Sequence, residues 1–139
     1  MKESLEFEDK KYFTLTEANK QLPLIKKSLI KLRKIEQELA VFSLVDVQVD
    51  EFNESNAKTI TKLNKDFHKL NYEFYKLIEE IESTGCILKD ISKGLVDFYA
   101  KDKDKEILLC WQMGEESIQF FHDIENGYDG RKHISLLGV

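Results

Sequence analysis

Residues 60–81 read ITKLNKDFHKLNYEFYKLIEEI, and their spacing decides how the chain folds. Apolar side chains fall at Ile60, Leu63, Phe67, Leu70, Phe74, Leu77 and Ile81. The steps alternate three and four without a break, which places all seven on one stripe of an α-helix. The residues between them are mostly charged or amide side chains, so the rest of that helix meets water. Asn56 is a candidate start. Gly85 is a candidate stop, because glycine accepts the left-handed backbone that commonly follows a helix.

Upstream lies a second stripe of the same kind: Leu15, Ala18, Leu22, Ile25, Leu29, Leu32 and Leu39. Thr14-Leu15-Thr16-Glu17 opens it as a capping box, with Thr14 at the N-cap and Glu17 reaching back. Glu36 interrupts the pattern, and Ile35 beside it serves as the substitute. Pro23 falls inside this helix and predicts a kink or a short first turn with a restart. Each helix has about 28 residues, or on the order of 40 Å at 1.5 Å per residue. Two such stripes in one chain pair most simply with each other, as a long antiparallel two-helix coiled-coil hairpin over residues 14–85. Residues 1–13 precede it as a charged arm.

The connection, roughly residues 43–55, is unusual for a loop. Leu44, Val45, Val47, Val49 and Phe52 stand there among Asp46, Asp50, Glu51 and Glu54. Either the first helix runs on and the tip packs on itself, or these five residues form a contact patch.

After Gly85 the period changes from helical to alternating. Leu95–Tyr99 and Glu106–Trp111 flank the charged Lys101–Lys105 segment, a hairpin loop in this reading. Met113-Gly114-Glu115-Glu116 turns the chain again into Ile118–His122. Residues 86–139 are therefore expected to hold a small three-stranded antiparallel β-meander with C-terminal turns around Gly127 and Gly130. The fold class is α+β, a single domain over residues 1–139.

Composition narrows the function classes. A net charge of -5 gives no general pull toward nucleic acid or an anionic membrane. Lys20, Lys26, Lys27, Lys31, Arg33 and Lys34 of the first helix are read as a solvated flank, paired with acids such as Glu73, Glu79, Glu80 and Glu82 of the second. The N-terminus is too acidic for a signal peptide, and no run approaches the roughly 18 apolar residues of a membrane span. Cys86 and Cys110 have no metal-finger spacing and read as two free, buried thiols of a cytoplasmic protein.

Several short segments carry a family resemblance. Tyr12-Phe13-Thr14-Leu15, Glu17-Ala18-Asn19 and Leu22-Pro23 come first. Gly94-Leu95-Val96-Asp97-Phe98, Leu109-Cys110-Trp111 with Gly114-Glu115, Ile118, Phe121-His122, and Gly127-Tyr128 with Gly130-Arg131 follow. Together they resemble an uncharacterised prokaryotic family, domain-of-unknown-function 2203. Phe121 stands where the resemblance leads one to expect a larger aromatic. The resemblance implies no activity, substrate or cofactor.

The residues able to carry chemistry gather on and near the expected sheet: Asp97, Cys110, Glu115, His122 and Arg131, with Asp123 and His133 beside them. Asp, Cys and His are competent ligands for zinc or a similar divalent metal, but no short ligand spacing marks a site and no cofactor is evident from the sequence. The plainer reading is structural. Cys110 beside Trp111 is a small buried hydrophobe, His122 is bonded to backbone, and a buried Asp97 takes Arg131 as its cation. His68, beside Phe67, reads as a solvated flank. No nucleophile elbow, phosphate loop or zinc-protease motif is present. The expected function is therefore a non-catalytic interaction or assembly module, self-associating or binding another protein. The alternative is a metal-dependent or small-ligand-binding enzyme using the sheet cluster.

Overall fold

The computed structural model describes residues 10–46 and 57–138. The capping box forms as written. The Thr14 amide donates to Glu17 Oε1 at 2.9 Å and the Glu17 amide donates to Thr14 Oγ1 at 3.1 Å. Two of the orphan amides at the start of a helix are thereby satisfied. Helix α1 then runs unbroken from Leu15 to Asp46 with Pro23 inside it, so the helix does not restart. Proline inside a helix costs about 3 kcal/mol. Ala18, Leu22, Ile25 and Leu29 around it are all buried. At roughly 1.5–3 kcal/mol for each large apolar side chain, their burial outweighs the proline. Leu44 and Val45 therefore belong to α1, with Leu44 exposed. Val47, Val49, Phe52 and Asn56 lie outside the described residues.

Helix α2 spans Ala57–Glu82 and runs beside α1 in the opposite direction. Phe42 meets Phe67 edge to face at 6.0 Å, while Glu36 shares a groove with Ile78 and Glu82. The turn after α2 closes on backbone bonds from Thr84 to Ile81 and from Gly85 to Glu82. Gly85 sits at φ +99°, in the left-handed region.

Five strands follow rather than three. They are β1 (Ile87–Asp90), β2 (Leu95–Asp102), β3 (Lys105–Gln112), β4 (Phe120–Asp123) and β5 (Lys132–His133), in spatial order β1-β2-β3-β4-β5. Every neighbouring pair is antiparallel. The two added strands are the outer ones. β5 has two residues, both exposed, and therefore no apolar alternation to betray it. Its partners Phe120 and Phe121 define it. β4 begins at Phe120 rather than Ile118, because the Ile118 amide is already donated to Asn19 Oδ1 of α1 at 2.9 Å.

The sheet has two unlike faces. Val96, Phe98 and Ala100 of β2, Ile107, Leu109 and Trp111 of β3, and Phe121 of β4 join the buried stripe of α1 in one core. That stripe, with Ile35 filling in for Glu36 as expected, thus packs on a sheet as well as on a helix. Of the α2 stripe only Ile81 is buried, and Phe67 is 36% exposed. The hairpin is not a sealed two-helix seam along its length. Among the described residues, no ion pair within 4 Å joins the basic residues of α1 to the acids of α2, contrary to the pairing expected.

Candidate metal centre on the outer face of the sheet

The alternation that sends Val96, Phe98 and Leu109 toward α1 sends Leu95, Asp97, Leu108, Cys110 and His122 to the opposite face. Asp97 stands directly across from Cys110, and Cys110 across from Phe120, two residues before His122. Register alone therefore puts Asp97, Cys110 and His122 on one face of three adjacent strands. All three are buried. Their ligand atoms lie within 4.8 Å of one another, the one such group among the described residues.

The hydrogen bonds orient the histidine. His122 Nδ1 lies 2.9 Å from the Asp123 carbonyl oxygen, which can only accept. Nδ1 therefore carries a proton and donates it. Nε2 is left facing Asp97 Oδ2 at 3.1 Å, with a single proton between them. Asp97 Oδ1 is buried and has no partner among the described residues, an arrangement that ordinarily costs stability. Burial pushes the Cys110 thiol up to about 12, with the nearby Asp97 carboxylate adding to the effect and Arg131 opposing it. Burial likewise pushes Cys86 up to about 11. Both cysteines are free and buried. A thiolate nucleophile is not what this geometry builds, because both imidazole nitrogens are committed to groups other than the sulfur.

Glu115 and Arg131 are next to this trio but form a different unit. Arg131 Nη2 lies 2.8 and 2.9 Å from the two Glu115 carboxylate oxygens, so Arg131 is not the partner of Asp97; His122 is. The Glu115 carboxylate also accepts from the Gln112 amide at 2.7 Å, and its backbone carbonyl accepts from Trp111 Nε1 at 2.9 Å. The Arg131 guanidinium lies 4.1 Å from the Phe120 ring centre and 4.8 Å from that of Tyr128. It also donates to the Cys110 carbonyl at 3.4 Å. This clasp ties the C-terminal segment to β3 beside Cys110, which is fully buried. Asp123 pairs with Lys105 and Lys132. His133 accepts from the Ser135 amide at the start of a short helical turn. His68 is exposed on α2.

A depression of about 290 Å³ reaches two of the trio, Asp97 and His122, from outside. Asp97 and His122 line its floor, and Lys89, Leu95, Asn126 and Tyr128 are among its walls. Lys89 was not legible as a site residue, since the strand that carries it left no pattern.

Residues 11–134 match the family model described as Uncharacterized conserved protein (DUF2203). The chain belongs to this family. The DUF2203 match takes in all five strands, the Asp97–Cys110–His122 trio and the Glu115–Arg131 clasp. No curated protein and no solved structure matches the chain. No described helix is long and apolar enough to cross a membrane.

Proposed function

We propose that this DUF2203 protein binds a divalent transition metal through Asp97, Cys110 and His122, with zinc the ion whose preferences the set meets. The observation that carries the proposal is the convergence of a carboxylate oxygen, a thiol sulfur and an imidazole nitrogen within 4.8 Å in a buried site. Zinc takes this mixture of donors. Two further features support the reading. A metal-bound histidine usually donates its other ring N–H to a carbonyl or carboxylate, as His122 Nδ1 does to Asp123. Asp97 keeps one oxygen unspent, and a cation at this place would satisfy it.

Three protein donors leave a tetrahedral ion one position short. The depression beside Asp97 and His122 is where water or an outside ligand would reach that position. The site therefore has the form of an exchangeable metal centre rather than a closed structural one.

Metal analysis of the purified protein after dialysis tests the proposal, together with cobalt reconstitution. The expected result is one ion per chain and, with cobalt, a thiolate-to-metal absorption band that Cys110→Ser removes. His122→Gln should lose the ion as well. A wild-type protein that holds no zinc and gives no cobalt spectrum overturns the assignment, and needs no variant to fold.

A further inference from the structure

We infer that α2 is the interface of a two-fold symmetric dimer, in which its outward stripe pairs antiparallel with the same stripe of a second copy. Lys65, His68, Tyr72, Tyr75 and Glu79 recur at steps of three and four, which aligns them along one side of the helix. All five are exposed, and Tyr72 and Tyr75 are 69% and 62% exposed. Such aromatics are the residues that most often anchor protein interfaces.

The charge order commits the surface to its own copy. Lys65 lies toward the N-terminal half of α2, and Glu79 toward its C-terminal end. The two are equally far in sequence from Tyr72. A two-fold axis at Tyr72 therefore sets Lys65 against Glu79 of the second copy. Symmetry repeats the pair. Among the described residues, neither of these two charges has an ion-pair partner within its own chain. A parallel pairing would instead set lysine on lysine and glutamate on glutamate, and is disfavoured. The tyrosines meet about the axis and supply apolar area, while the charges choose direction and register. Helix α2 can take this role because its other side already rests on α1, so pairing needs no rearrangement of the chain.

Sedimentation of the full chain over a wide concentration range tests the inference, with chelator present so that metal binding plays no part. The wild type should form a dimer. Lys65→Glu and Glu79→Lys alone should each weaken it about tenfold, since one substitution turns two symmetric attractions into repulsions. Their helicity and melting temperature at monomeric dilution should stay at the wild-type value. The double variant, and an equimolar mixture of the two single variants, should recover the dimer. A wild type that stays monomeric throughout overturns the inference and leaves the stripe to a different protein. So does a dimer indifferent to both single substitutions.

Discussion

Gly85 shows how a single position can be held by two unrelated demands. Its backbone sits at φ +99°, where a side chain is strained. A β-carbon added there would also stand 2.7 Å from Phe13 Cζ. Phe13 is buried, meets Phe98 edge to face at 5.1 Å, and gives its amide to the Tyr99 carbonyl at 2.7 Å, so it has little room to give way. Gly85→Ala is therefore expected to cost about 2 kcal/mol or more, above the ~1 kcal/mol that backbone strain alone commonly sets. Denaturant unfolding measures it. A variant as stable as the parent would refute the packing of Phe13 over this turn. The glycine was readable in the sequence as a helix stop, but its contact with Phe13 was not. The two residues are brought together only by the pairing of the segment before α1 with β2.

At the scale of elements, α1 and α2 carry the same stripe and bury it to different depths. The α1 stripe is shared between α2 and the sheet, which is why Ile25, Leu29 and Leu32 are fully buried. The α2 stripe faces α1 alone over most of its length, and two helices cannot seal a seam from both sides. The spacing in the sequence is blind to that difference, since it reports direction and not what lies there. The consequence is a split between two residues of one stripe. Phe74 packs against the main core, whereas Phe67 touches Phe42 and remains 36% exposed. Phe74→Ala should cost about 3 kcal/mol and Phe67→Ala about 1–2 kcal/mol. Equal costs, measured by chemical denaturation of the two variants, would mean that the hairpin is sealed along its length after all.

The molecule as a whole is a sheet-based head from which a helical hairpin projects. Helix α1 alone, with 32 residues, is about 48 Å long at 1.5 Å per residue. A compact chain of this size has a radius of gyration of roughly 14 Å. Small-angle scattering of the Lys65→Glu variant, extrapolated to the dilution at which sedimentation shows monomer, should give a value clearly above that. A value at the compact expectation would mean that the helices fold back on the head.

Local rules acting within a few residues explain what the sequence determined without help. The capping box, the two amphipathic helices, the Gly85 stop and a hairpin turn somewhere within Lys101–Lys105, which the structure narrows to Lys103-Asp104, depend on neighbours three or four positions apart at most. The set of chemically able residues was legible too, because a polar side chain among buried types needs a reason. What the tertiary structure alone decided is which of them meet. Register across three strands joins Asp97, Cys110 and His122, although the two outermost are 25 positions apart. It sends Arg131 to Glu115 instead of Asp97, because the C-terminal segment crosses the sheet at the Cys110 end. Periodicity tells which face a strand residue occupies relative to its own neighbours, and pairing between strands tells what it faces. That second relation depends on loop lengths and on partners distant in the chain, and β5, with two exposed residues, exists only through it.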